Sequence, residues 1–595
     1  MKKPDINRWN FAEGMKCLLF FTNLIDEITF NYTIDSYKAP ALHTLSLVEE
    51  ALQTIENIDS GAIREGALQS VIDELKWSAG HDDIFKTLVS EKGLSGIISK
   101  IGEVSPRSDL KTILQMTRER VTDMDYLTKI KESISNLVKE NHQKEKIEAQ
   151  TRLLVTHLKY MGYAEEYIYY KNKELFLGGQ RNVTDVDDID EFLNLFSGGD
   201  VGYKAILIVN NLISQINEAI GGQGGLVRED FDLGIHSNRI DSFKKKRGPK
   251  WKFLILNTSA KDPFSARVRA EEKVSSLANL YSFYHHKNTL RFHNVALIVE
   301  SEHQENFFKI MKPTPHIIRC KDLKPISASR LFKRAANHIS LDSDSLLRVM
   351  KSLKLHQAAL TADTLENQFV NLFTALEILI PKRVDANDNR ISQIYGTLIP
   401  YLCLGYYDKL ISSVVVTLRQ WNLAMLNHIE NTVKEGTTIE EKVCAYMLLD
   451  KYDKDLEDTV YTAITGDNYF LLRHRMYRLH EKMKKPSEIL KHLNHHEQKL
   501  KWHIDRIYRT RNLIVHAGIS PHYLETLLEN IHSYYDILIT RLIYDNVNGG
   551  LSRLEYSYML YVVEYMAYQN KLQKLQSEGD NLTENNILEA VLLKK

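Results

Sequence analysis

Arg511, Asn512 and His516 lie within the stretch Arg509-Thr510-Arg511-Asn512-Leu513-Ile514-Val515-His516-Ala517-Gly518. Their side chains suit phosphodiester cleavage. An imidazole with an ordinary pKa near ~6.5 takes or gives a proton at neutral pH. A guanidinium grips phosphate oxygens through a planar fork and stays charged. An amide orients either partner. In RNA the 2′-hydroxyl is an internal nucleophile, so neither a metal nor a protein nucleophile is required, and a 2′,3′-cyclic phosphate product follows. Arg511 and His516 are five apart and do not stack on one helix face as i, i+4 neighbours do. They are expected to converge if the helix ends near His516, where Gly518 is well placed to stop it. Ser520-Pro521 is expected to open the next helix, and Ser487, after Pro486, to cap the one that carries the motif.

The approach to the motif is basic. Between 473 and 516 stand Arg473, Arg475, Arg478, Lys482, Lys484, Lys485, Lys491, Lys499, Lys501, Arg506, Arg509 and Arg511, against Glu481, Glu488, Glu497 and Asp505. That surplus predicts a phosphate-binding face, with Lys499, Lys501, Arg506 and Arg509 as RNA contacts. Tyr477, Trp502 and Tyr508 are candidates to stack on unpaired bases, although any one of them is more often buried. The whole chain has 77 Lys plus Arg and 77 Asp plus Glu, so affinity for nucleic acid must come from such a local patch.

Other constellations carry less. Arg152…His157 and Arg475…His480 repeat the loose Arg–His spacing in mid-helix without the Asn. His492 and His496 share a helix face as zinc ligands can, but no third ligand follows at a usual spacing, and exposed helix surface is expected there. Gly221 to Gly225 is followed by no Gly-Lys-Ser/Thr and is expected to be loop, as is Lys244 to Lys250. The cysteines, Cys17, Cys320, Cys403 and Cys444, show no CxxC spacing, which suits a reducing cytoplasm. No metal and no cofactor is expected. No signal peptide is read at the N-terminus, and no apolar run approaches the ~18 residues of a membrane span.

The elements that must position the motif read as mainly α. Residues 1–175 carry helical periodicity, as at Leu45 to Leu52 and Leu68 to Leu75. Residues 176–342 form a small α/β unit, with buried strands expected at Ala205–Val209, Phe253–Leu256 and Val295–Val299 and a helix over Ala266 to Phe283. Residues 343–595 are expected to be all α, with one long helix from Leu346 to Ile380.

Tyr508 to His516 resembles the signature of HEPN domains, an all-helical ribonuclease-like superfamily marked by Arg-x4–6-His. The form Arg-Asn-x-x-x-His preceded by Ile-Tyr and an Arg is similar to the Apea-like branch, as is Thr374-Ala375-Leu376-Glu377-Ile378-Leu379. The likeness covers about 345–576. Upstream, Asp262 to Ala266 after a strand is similar to the region preceding HEPN in such proteins. The resemblance implies a C-terminal HEPN-like helical bundle that dimerises so that two motifs form one composite site. It implies metal-independent endoribonuclease activity in bacterial defence or toxin systems, with Arg511 and His516 catalytic and Asn512 and Glu377 supporting. Members that only bind RNA or partners leave a second reading open: a non-catalytic RNA-binding or interaction protein.

Overall fold

The computed structural model describes residues 6–592 apart from 31–32, 95, 97–99, 102–106, 141, 179–180, 220–224, 321 and 382–389. Positions 221–224 of the glycine run and the Asp- and Asn-rich loop at 385–389 lie outside the described residues. The fold is mainly α with one small sheet. No helix among the described residues is long and apolar enough to cross a membrane.

The helical periods read in the N-terminal region become buried faces. The Ala67–His81 helix buries Val71, Ile72, Leu75 and Ala79, one stripe of a 3.6-residue repeat. The Thr44–Asp59 helix buries Leu45, Val48, Ala51 and Ile55, and also Glu50. These residues do not form a core of their own. One continuous apolar cluster runs from Trp9 to Phe196, takes in Ile317, and resumes from Val349 to Leu592. The first 175 residues and the last 250 or so therefore fold as one helical body. Phe11 stacks on Phe470 with ring centroids 6.2 Å apart, and Trp77 lies 5.8 Å from Trp502.

The sheet unit is separate from that core. Strands β1 (Val201–Asn210), β2 (Leu226–Arg228), β3 (Trp251–Ala260), β4 (Phe292–Glu300) and β5 (Phe307–Met311) pair in the order β2-β3-β1-β4-β5. Every pairing is antiparallel. The three expected apolar runs are the three central strands. Their runs are continuous because both faces are covered. Ala205, Leu207, Leu254 and Ile298 pack with Ala266, Ala270 and Val274 of the Pro263–Tyr284 helix. Ile206, Ile208, Phe253 and Leu297 pack with Phe231, Ile240 and Phe243. Asp262 caps that helix at Phe264 and Ser265 and accepts a bond from the Ala164 amide at 2.8 Å, tying the unit to the helical body.

The expected helix from Leu346 to Ile380 is two helices, Ser343–Thr361 and Leu365–Leu379. Thr364 accepts a bond from the Asn367 amide, an N-cap inside an otherwise unbroken apolar pattern. The two helices then fold against each other, with Ser352 Oγ donating to the Ala375 carbonyl at 2.7 Å.

Because the core is shared, residues 343–595 expressed alone are expected not to fold cooperatively. Each large apolar side chain returned to water costs ~1.5–3 kcal/mol, against a net stability of ~5–15 kcal/mol for a domain. A sharp unfolding transition of that fragment, followed by near-ultraviolet circular dichroism, would refute the shared core.

Candidate functional site

The motif lies on one unbroken helix, Pro486–Ala517, with Pro486 at its first turn. Ser487 does not cap it. Its hydroxyl and amide bond Asp580 instead. The helix stops where the sequence places the stop. Gly518 has φ 66°, and its amide and that of Ile519 return to the Ile514 and Leu513 carbonyls. The left-handed backbone is what requires glycine here, since a Cβ would meet nothing within 4 Å. Ser520 does not open the next helix, which runs Leu524–Gly549. Its hydroxyl donates to Glu366 at 2.8 Å and pins the turn to the start of the Leu365–Leu379 helix.

His516 is exposed in the last turn, and its imidazole makes no hydrogen bond among the described residues. Arg511 is half-buried. Its guanidinium carbon lies 5.7 Å from the centre of the Phe373 ring, and Nη1 donates to Asn512 Oδ1 at 3.0 Å. Its Nε is buried without a partner. In a continuous helix, residues five apart are turned by ~140° and separated by ~7.5 Å along the axis. Arg511 thus faces Phe373 while His516 faces solvent.

Glu377 is engaged by Arg390. Its carboxylate accepts Arg390 Nε at 3.2 Å and its carbonyl accepts Arg390 Nη2 at 2.9 Å. Tyr508 is half-buried against the core, its ring 6.1 Å from that of Phe373.

The expected phosphate-binding face is largely an internal interface. Arg506 and Arg509 are only 2% and 6% exposed. Arg506 Nε and Nη2 donate to the two Glu50 oxygens at 2.9 Å, and Nη2 also reaches Glu74 at 2.5 Å. Arg509 donates to Glu50 at 3.0 Å and to Ser70 at 2.9 Å. Arg475 is buried between Glu27, at 2.7 Å, and Glu148. Arg478 pairs with Glu145, Arg473 with Glu457, and Lys501 with Glu497 at 2.9 Å. Lys499 is exposed, with its ammonium 4.7 Å above the Trp77 ring. Most of these partners, Glu27, Glu50, Glu74, Glu145 and Glu148, lie far back in the chain, where a local count of charge does not reach. Burial alone would raise the Glu50 pKa, but Arg506 and Arg509 outweigh it and hold it at about 2.

His492, His495 and His496 are half-buried rather than on an exposed face. His496 stacks on Tyr406 at 3.8 Å, His495 lies 5.1 Å from Trp77, and His492 Nδ1 is 3.2 Å from the Tyr407 hydroxyl. Burial pushes His492 down to about 2 and His496 to about 3, which keeps both neutral.

Two groupings had no signal in the sequence. A cleft of about 390 Å³ lined by Glu49, Gln53, Asp123, Tyr160, Met161, Lys261 and His522 opens where the sheet unit meets the helical body. Arg118 bridges Glu49 and Asp123 there, at 3.1 and 2.8 Å. Elsewhere Cys320, His532 and Asp536 converge, the one mixed set of metal-ligating side chains among the described residues. Their members come from distant segments, so no spacing rule could gather them.

Glu50→Gln is expected to destabilise the protein by about 3 kcal/mol, the cost of leaving buried guanidiniums short of a carboxylate. The sign of the pH effect follows from a depressed folded pKa. The Glu50 contribution is present above its unfolded value near ~4.3 and is lost as pH falls toward about 2. Urea midpoints of the two proteins should therefore draw together below about pH 4. A gap that stays constant with pH would contradict this assignment.

Searches of family models, curated proteins and solved structures found nothing that matches this chain.

Proposed function

We propose that this chain is a metal-independent endoribonuclease whose chemistry is carried by Arg511 and His516 at the C-terminal end of the Pro486–Ala517 helix. The observation that carries the reading is the unspent chemistry at that helix end. His516 is exposed with a free imidazole, and Arg511 gives one hydrogen bond, to its neighbour Asn512. Both remain available where nearby cations are consumed by carboxylates.

The proposed step uses the substrate's own nucleophile. His516 accepts the proton of a ribose 2′-hydroxyl as the 2′-oxygen attacks phosphorus. The bond to the 5′-oxygen breaks, and the leaving oxygen takes a proton from a second imidazole. The product is a 2′,3′-cyclic phosphate with a free 5′-hydroxyl. Arg511 binds the phosphate oxygens and offsets their growing charge. Asn512 holds the guanidinium in place.

One chain offers one such imidazole, turned away from its own Arg511, so a second copy supplies the partner groups. Two apolar stripes support a homodimer. Leu346, Leu347, Met350 and Leu353 are exposed on the Ser343–Thr361 helix, and Tyr556, Met559, Leu560, Val563 and Met566 on the Leu554–Ser577 helix. Arg348 and Glu555 pair at 2.5 Å where these helices begin. A cytoplasmic, toxin-like role in bacterial anti-phage defence rests on the resemblance to HEPN proteins alone. The second reading, a non-catalytic RNA-binding or dimerisation protein, is favoured by the internal use of the basic stretch and the half-burial of Arg511.

Cleavage of a generic RNA should persist in EDTA, rise and fall around neutral pH, and vanish in Arg511→Ala and in His516→Ala. His516→Ala should leave stability within about 0.5 kcal/mol, since the side chain is exposed. Arg511→Lys should not restore the rate, because an ammonium lacks the planar fork. RNA binding without cleavage in wild type would leave the second reading. Activity lost in EDTA and restored by Mg²⁺ would end the metal-free mechanism.

A further inference from the structure

The segment that leaves the sheet unit runs along one stripe of the Leu524–Gly549 helix. Glu525, Glu529, His532 and Asp536 are spaced 4, 3 and 4 residues apart and share that helix face. His316 of the leaving segment sits between Glu525, at 3.1 Å, and Glu529, at 2.8 Å. Arg319 beside it is buried and pairs with Glu166. Cys320 follows, next to His532 and Asp536.

At this point the ion pairs give way to ligand chemistry. The Cys320 sulfur, a His532 ring nitrogen and an Asp536 carboxylate oxygen all lie within 4.8 Å of one another. His532 Nε2 is 3.7 Å from Asp536 Oδ1. A tetrahedral zinc ion, with bonds of ~2.0–2.3 Å, needs its ligand atoms ~3.3–3.6 Å apart. The cluster therefore has to contract by roughly an ångström at its widest to close on an ion. A second imidazole adjoins it. His356 Nε2, from the Ser343–Thr361 helix, is 2.9 Å from His532 Nε2. His356 also stacks on Tyr535 at 4.9 Å and 12°, so its ring is held in place. The two ring nitrogens share one proton in a hydrogen bond, so His356 holds the His532 ring in place.

We propose that Cys320, His532 and Asp536 bind a divalent metal of the zinc class, with solvent in the fourth position. Thiolate, imidazole and carboxylate together select zinc over magnesium or calcium. His532 is buried, while Cys320 is partly exposed and the Asp536 side chain is 47% exposed, so the ion can enter from solvent. The site is structural. It fastens the segment leaving the sheet unit to the helical body, and binding energy there adds to folding stability. It is not part of the proposed cleavage chemistry.

The test is cobalt titration of the full-length, metal-stripped protein. Wild type should take up one Co²⁺ per chain with a thiolate-to-cobalt charge-transfer band and tetrahedral visible bands, all displaced by Zn²⁺. Zinc should also raise its melting temperature. Cys320→Ser should lose the charge-transfer band and the zinc-dependent rise. Asp536→Asn, at a half-exposed position, should keep the fold and weaken cobalt binding by at least roughly 10-fold. No band in wild type, or a band undiminished in Cys320→Ser, would overturn the site. Because the readouts are spectroscopic and thermal, failure here leaves the nuclease reading untouched, and loss of RNA cleavage leaves this site untouched.

Discussion

The Glu50 carboxylate, held between Arg506 and Arg509, sets the geometry of the motif helix. Taking three charges out of water costs several kcal/mol per ion, recovered only when every oxygen and N–H is matched. The match here is close. Both Glu50 oxygens accept from guanidiniums at 2.9–3.0 Å, and the Tyr523 hydroxyl adds a bond at 3.1 Å. Apolar faces can slide by a turn at modest cost, but such a cluster cannot. It therefore fixes both the rotation and the register of the Pro486–Ala517 helix on the Thr44–Asp59 helix.

That carboxylate also brackets the candidate site. Arg509 precedes the turn at Gly518 and Tyr523 follows it, and both end on Glu50 Oε1. Ser520, between them, is tied to Glu366. The helix end carrying His516 toward solvent, with the turn that follows it, is thus anchored on either side, although its own residues are exposed. Anchoring an exposed imidazole on a rigid support is what a proton-transfer group needs. The same economy has a consequence for substrate. Cations that a local charge count assigns to phosphate are spent on Glu27, Glu50, Glu145 and Glu148. Under the proposed function, phosphate contacts would fall to Arg511, to Lys499 and to groups of a second copy.

The sheet unit is joined to this body differently. Its cores are its own, on the two faces of the sheet, and its attachment is largely polar: Asp262 to the Ala164 amide, His316 to Glu525 and Glu529, and Arg319 to Glu166, with Ile317 buried among them in the helical core. Directional bonds of this kind hold a position without requiring a large shared apolar surface. A metal at Cys320 would place its strongest bonds at the point where the chain passes from one part to the other.

The sequence by itself determined the local facts. Periodicity in apolar residues marked the helices and the three central strands, because burial of one face or of two leaves its own pattern along the chain. Gly518 marked the helix stop, since a left-handed residue favours glycine whatever surrounds it. Arg511, Asn512 and His516 were legible as chemistry because their types and spacing are local. The cap at Thr364 was legible in principle, but its apolar flanks hid it. Only the tertiary structure decided which charges are free, where Arg511 and His516 point, and which side chains from distant segments meet. Glu50 and Arg506 are 456 residues apart, and nothing in either neighbourhood specifies the other. The physical reason is the range of the forces: backbone preferences act over a few residues, whereas desolvation and charge pairing act between whatever the folded core brings into contact.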